Sequence, residues 1–143
     1  MRLTIYTDYT LRVLIQLAVR PHELKIADSY GISENHLMKV VHQLGVAGYI
    51  ETVRGRNGGI RLLKRPDDIN IAEIVRRMEP DFDLVPCFNA SDACVIEPAC
   101  VLKDALGEAR DAFLAALERH TLADLVAPRR KLAALLKPQP RPL

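Results

Sequence analysis

Tyr49-Ile-Glu-Thr-Val53-Arg-Gly-Arg-Asn-Gly-Gly59-Ile-Arg-Leu-Leu63-Lys-Arg65 is the stretch whose pattern decides the fold. Two strand-like runs, Tyr49–Val53 and Ile60–Leu63, flank Arg54-Gly-Arg-Asn-Gly-Gly59. The Asn-Gly step between them favours a tight hairpin. Its tip carries Arg54 and Arg56, with Arg61, Lys64 and Arg65 behind. Arginines on a narrow projection suit the DNA minor groove, where negative potential is focused. A glycine-rich basic loop could also cradle a phosphate. Here, however, the GxxxxGK[ST] spacing is missing and the loop leads into a strand, not a helix. The hairpin is therefore read as the wing of a winged helix.

The segment just upstream supplies the rest of that motif. Ser33 is a good N-cap for a helix with Leu37, Val40, Val41 and Leu44 on one face. Ile26–Tyr30 reads as one or two helical turns ended by Gly31, so the pair resembles a helix-turn-helix whose second member is the reader. Glu34, Asn35, His36, Met38, Lys39, His42 and Gln43 lie away from the apolar stripe. Asn can pair bidentately with adenine, and Lys can reach guanine or phosphate. A merely solvated helix face is the plainer explanation of such residues, and the wing that follows tips the balance toward DNA. Residues 7–19 place Leu11, Leu14, Ile15, Leu17 and Ala18 at helical spacing, with Thr7 or Asp8 near the start. Arg20-Pro21-His22-Glu23 breaks that helix, since a residue before proline avoids helical geometry.

Downstream, Asn70 caps a further helix, and Glu73 three residues later gives a capping-box pattern ahead of Ile74, Val75 and Met78. A long helix is expected from about Pro98 or Ala99 to His120, with Leu102, Leu106, Ala109, Phe113, Ala116 and Leu117 at intervals of three and four. That seam can bury against the chain's own core or against a partner helix, and its length favours dimerisation. Thr121–Asp124 restarts a short helix that Pro128 stops, and the proline-rich end after it is expected to be disordered.

Between these helices stands Cys87-Phe-Asn-Ala-Ser-Asp-Ala-Cys94-Val-Ile-Glu-Pro-Ala-Cys100, which holds all three cysteines of the chain. An odd count leaves no complete disulfide framework, and thiolates on one short loop can converge on a soft metal at modest entropic cost. Structural zinc wants four ligands with a pair two to four residues apart, and these spacings are wider. A cluster-free thiol sensor and a set of buried small hydrophobes are the other readings. No activating Cys/His constellation for catalysis is visible.

No apolar run is long enough to span a bilayer, and a reducing cytoplasm, where clustered cysteines read as metal-binding or redox-active, is the default. The net charge of +2 hides an asymmetry, with residues 1–66 at +5 and residues 67–143 at −3. A basic first half suits a polyanion.

Three features together resemble the NsrR type of bacterial iron–sulfur regulator, in the wider family that also contains IscR. They are Leu3-Thr-Ile-Tyr-Thr-Asp-Tyr-Thr-Leu-Arg12, the wing from Val53 to Arg61, and Leu84-Val-Pro-Cys-Phe88 leading to Cys94 and Ile96-Glu-Pro-Ala-Cys100. The resemblance implies a homodimeric repressor of double-stranded operator DNA whose iron–sulfur cluster, [4Fe–4S] or else [2Fe–2S], senses nitric oxide and releases DNA when nitrosylated. It implies Cys87, Cys94 and Cys100 as ligands, with Asp8 of the other subunit as the fourth. Lys103 stands where IscR-like members place a histidine ligand, and an ammonium has no lone pair to give. By the same resemblance Ser33, Asn35, His36 and Lys39 belong to the reading surface. Arg54 enters the minor groove, while Arg56, Arg61 and Lys64 contact phosphates. The link from Arg20 to Ile26 is several residues shorter than the family pattern and lacks its capped start for the second helix.

The expectation is thus a mainly α chain with a small β-hairpin, a winged helix-turn-helix plus a long dimerisation helix. Residues 1–80 would bind DNA, 81–100 form the cluster loop, 101–127 form the dimerisation helix with the short helix after it, and 128–143 form a tail. The alternative is a redox- or iron-responsive regulator of the same fold that uses zinc or free thiols.

Overall fold

The computed structural model describes residues 1–21, 25–89 and 94–137. Helix α1 spans Ile5–Val19, α2 Ile26–Tyr30 and α3 Glu34–Val46. Strands β1 (Ile50–Val53) and β2 (Gly59–Leu62) follow, then α4 (Ile71–Met78), α5 (Val101–Glu118), α6 (Leu122–Leu125) and α7 (Arg129–Leu135). The expected helix breakers His22 and Glu23, and the expected disorder from residue 138, fall outside the described residues.

Helix α1 starts earlier than Thr7 or Asp8. Thr4 is its cap, accepting from the Thr7 amide at 3.3 Å, and the two hydroxyls lie 3.0 Å apart. A carboxylate completes this end. Glu79, just past α4, accepts from the Thr4 amide at 2.7 Å, the Thr4 hydroxyl at 3.1 Å and the Thr7 hydroxyl at 2.5 Å. An anion there satisfies otherwise orphaned donors and suits the helix dipole. Beyond it, Val13, Leu14 and Leu17 are buried against Ile26, Leu37, Val40 and Leu44 of the helix-turn-helix and Ile74 and Val75 of α4.

The turn between α2 and α3 follows the expected logic. Gly31 takes φ 65°, a left-handed conformation that ends α2, and the Ile32 amide bonds back to the Ala27 carbonyl at 3.0 Å. Ser33 occupies the N-cap position of α3, although its side chain makes no capping bond.

The wing is wider than a two-residue Asn-Gly hairpin. Antiparallel pairing of Val53 with Gly59 leaves Arg54–Gly58 as a five-residue loop, closed by the Gly58 amide on the Gly55 carbonyl at 2.9 Å. A β-carbon at Gly58 would meet the Val53 carbonyl oxygen and lie 2.7 Å from that of Gly55, so the loop closes only around glycine.

Asn70 caps α4 through the Ala72 and Glu73 amides, but Glu73 does not complete the box; its carboxylate accepts instead from the Tyr49 hydroxyl at 2.6 Å. Thr121 and Asp124 form a true capping box at α6. The end of α5 is tied to α4 by Arg76 to Glu118 at 2.5 Å, and Ile69–Ile71 bridges to His120–Leu122 through backbone bonds of 2.8 and 3.0 Å. Along α5, Leu114 is the one buried residue. It lies outside the expected stripe, in which Leu106, Phe113, Ala116 and Leu117 are half-buried while Leu102 and Ala109 are exposed. Helix α6 stops at Leu125, ahead of Pro128, but helical structure resumes beyond that proline. Pro128 precedes α7, and Leu132 and Leu136 pack α7 on the core. None of the helices of the described residues is long and apolar enough to cross a membrane.

Because Glu79 closes the start of α1 through three hydrogen bonds, Glu79→Ala is expected to lower unfolding free energy by about 2 kcal/mol in a urea titration, with Glu79→Gln recovering part of the loss.

Candidate metal centre and nucleic-acid interface

The reading helix presents its polar face as expected, with one change. Asn35 and Lys39 are exposed, as are His42 and Gln43, and Met38 among them is 66% exposed. His36 is different: its ring packs edge-on against Tyr6 at 5.9 Å and lies 6.1 Å from Tyr9, both on α1. Its contacts therefore tie α3 to α1. Ser33 is exposed at the start of the helix.

On the wing, Arg54 and Arg56 are exposed at the tip. Arg61 stands directly across the ladder from Glu51 and forms an ion pair with it, so part of its charge is already matched. Lys64 lies over the Tyr49 ring at 4.4 Å, and Arg77 of α4 lies 5.7 Å from the same ring. A buried aromatic with cations over its face and its hydroxyl on Glu73 joins the wing base to α4. Sequence reasoning assigned Tyr49 to a strand and Glu73 to a cap; an aromatic following the Ala47-Gly48 helix exit was the available signal. Burial, followed by the Glu73 hydrogen bond and charge and opposed by Arg77, pushes the Tyr49 phenol up to about 12.

The cysteine segment meets α5 at its start. Cys87 sits in a single 3₁₀ turn, Pro86–Phe88, and the Phe88 ring lies under Arg110 of α5, 5.2 Å from the guanidinium carbon. Cys100 is the N-cap residue of α5, its Sγ accepting from the Lys103 amide at 3.4 Å. Cys87 and Cys100 are half-buried and Cys94 is exposed. Lys103 Nζ pairs with Glu97 at 2.5 Å; that hydrogen bond, with the charges of Glu97, Cys87 and Cys100, raises its pKa against desolvation. Asp8, in the first turn of α1, pairs with Arg12 at 3.0 Å.

Among the described residues no three metal-ligating side chains converge, and residues 90–93 between Cys87 and Cys94 lie outside them. The structure thus brings Cys87 and Cys100 to the same end of α5 without assembling a closed donor set. The donors themselves suit a soft iron centre: three thiols, with one at the positive end of an 18-residue helix, where negative charge is favoured. Lys103 is committed to Glu97.

A family model described as Rrf2, iron-dependent transcriptional regulator, matches residues 3–128. The chain belongs to the Rrf2 family. This Rrf2 regulator is 56% identical to the HTH-type transcriptional regulator NsrR of Bacillus subtilis (strain 168), the match covering 96% of this chain and 98% of that protein. It is 48% identical to the protein of the same name from Halalkalibacterium halodurans, over 98% of this chain and all of that one. The Bacillus alignment runs over 143 residues yet takes in only 96% of this 143-residue chain, so that protein carries residues this one lacks. Among solved structures, CymR (YrzC), the global cysteine regulator of B. subtilis, superposes with a TM-score of 0.71 at 31% identity, over 89% of this chain and 97% of that one. T. potens IscR does so with a TM-score of 0.71 at 26% identity, over 90% and 88%. The winged helix-turn-helix reading and the assignment as a transcriptional regulator, not an enzyme, agree with these findings.

In a spectrophotometric titration, the Tyr49 phenol is expected to ionise near pH 12, and Tyr49→Phe to remove that late component. The folded chain holds this proton more tightly than the unfolded chain does. Its stabilising contribution is therefore whole below the ordinary value of 10.0 and lost as pH rises towards about 12, a loss that urea unfolding at alkaline pH would register.

Proposed function

We propose that this chain is a homodimeric repressor of double-stranded operator DNA, and that an iron–sulfur cluster held by Cys87, Cys94 and Cys100 makes its DNA binding responsive to nitric oxide. The observation that carries the reading is the cysteine segment itself. All three thiols stand on one loop that runs into the cap of α5. The strong identity to regulators named NsrR supports it.

On the DNA side, α3 enters the major groove, where Asn35 and Lys39 face base edges and Ser33 lies near the backbone. Arg54 enters the minor groove, and Arg56 and Lys64 meet phosphates. Arg61 contributes less to phosphate binding because Glu51 already matches its charge. His36, packed on Tyr6 and Tyr9, acts by fixing the pose of α3.

On the sensing side, a [4Fe–4S] cluster, or a [2Fe–2S] cluster, supplies a soft iron centre with affinity for a small diatomic ligand. Three thiolates leave one position for another donor. Asp8 of a second copy of the chain would be that donor, and in this chain its carboxylate is paired with Arg12 at 3.0 Å. Phe88 beneath Arg110 holds Cys87 against α5, so ligation at the loop bears on that helix. Val95, Ile96, Val101 and Leu102 are exposed around its start, with Val101 at 78% and Leu102 at 64%, and offer the second copy an apolar seam. A dimer suited to a palindromic operator would need its two reading helices about 34 Å apart, one turn of DNA. The thiol-based alternative draws on the exposure of Cys94, the most accessible of the three sulfurs.

Anaerobic purification with metal and sulfide analysis, followed by operator titration with and without nitric oxide, tests the reading. Iron with acid-labile sulfide and a loss of operator affinity on nitric oxide are expected. A colourless protein with zinc would transfer the cysteines to the rival reading. Unchanged operator affinity after nitric oxide has bleached the cluster absorbance would sink the sensing mechanism. In the same assay, Arg54→Ala is expected to weaken operator binding about tenfold or more. Lys64→Ala should weaken all DNA sequences alike and flatten the salt dependence by about one unit of slope.

A further inference from the structure

Helix α7, which the sequence presented as the start of a tail, interlocks with the C-terminal end of α1 through two reciprocal arginines. Arg129 donates from Nη1 to the Ala18 carbonyl at 2.8 Å and from Nη2 to the Val19 carbonyl at 3.1 Å. Arg20, the C-cap residue of α1, donates from Nη2 to the Ala133 carbonyl at 2.7 Å. Each guanidinium thus satisfies carbonyls of the other helix, and Arg129 places a positive charge at the negative end of the α1 dipole.

The same seam reaches α2. Ser29 accepts from Gln16 Nε2 at 3.1 Å, and its hydroxyl lies 3.4 Å from the Leu136 carbonyl and 3.3 Å from the Lys25 carbonyl. Gln16 is fully buried and Leu136 nearly so. Helix α2 has five residues and no side-chain capping bond at its start. So short a helix is not stable unaided and takes its position from what it packs on. It is the first member of the helix-turn-helix, and the turn at Gly31 passes its orientation to α3. Helix α7 lies beyond residues 3–128 that match the family model.

We propose that α7 is a strut for the reading head. Arg129 is its positioning residue: by clamping the end of α1 it holds Ser29 and α2, and through them α3, in the orientation that reads DNA. Directional bonds from a planar guanidinium to two successive carbonyls fix distance and angle, which the apolar contacts of Leu132 and Leu136 alone would leave loose. The consequence for DNA rests on the DNA-binding reading above, whereas the clamp itself does not.

The test uses the full chain carrying Arg129→Ala, with Arg129→Lys as the conservative variant, since lysine keeps the charge and loses the fork. Native-state amide exchange is expected to accelerate about tenfold or more across Ile26–Tyr30 in Arg129→Ala, less in Arg129→Lys, and to stay unchanged in α4. Operator affinity is expected to fall about tenfold while affinity for random-sequence DNA and the oligomeric mass stay as in the parent, with Arg129→Lys intermediate. Unchanged exchange in α2 overturns the strut. So does an equal loss of affinity for operator and random DNA, which would make Arg129 an ordinary phosphate contact. Because exchange is read without DNA, it decides the clamp even if the parent chain shows no preference for any sequence.

Discussion

Val13, Leu14 and Leu17 have almost no solvent contact, and α3, α4, α6, α7 and β2 each pack on the helix that carries them. That buried seam constrains everything the chain can do with DNA. A helix-turn-helix whose first helix is only five residues long cannot set its own geometry, so the reading helix is placed by its contacts with α1. Leu37, Val40 and Leu44 supply the apolar part of those contacts, and the ring of His36 against Tyr6 and Tyr9 adds an aromatic part.

Most of the architecture was legible because its signals are local. Gly31, the apolar spacing of Leu37, Val40 and Leu44, and the strand runs around Gly58 and Gly59 need only neighbouring residues to declare themselves. The misreadings share a different cause: the deciding partner lies far away in sequence. Thr4 displaces Thr7 as the cap of α1 because Glu79 backs it from 75 residues away. Glu73 abandons its capping box for a tyrosine 24 residues earlier. Residues 129–135 read in sequence as the start of a tail with a brief apolar cluster at Leu132, Leu135 and Leu136, and become a helix because α1 offers carbonyls and an apolar face to dock on. Cys87, Cys94 and Cys100 were legible as candidate donors, but any convergence depends on long-range placement, and the described residues bring only the first and last of them to α5.

The charge asymmetry also takes on a finer meaning in three dimensions. The excess of cations in the first half is not spread evenly over a DNA-facing surface. Arg61 is matched by Glu51, Arg12 by Asp8, and Arg65 lies within 4 Å of Asp67 and Asp68. Arg54, Arg56 and Lys39 have no carboxylate of the described residues within ion-pairing distance. Neutralising the flanks and leaving the tips charged concentrates the field on the wing and on the face of α3, where a polyanion would be met.

The two ends of α1 are closed by residues that arrive late. Glu79 satisfies its N-terminal donors across 75 residues, and Arg129 its C-terminal carbonyls across 111. Contacts so distant along the chain must overcome loop-closure entropy before they add stability, which slows folding. During synthesis the first helix therefore leaves the ribosome with both ends unsatisfied, and it waits for Glu79 and then Arg129 before its surroundings are complete. A chain truncated before Arg129 would carry all of α3 and the wing, yet lack the last bonds that close α1.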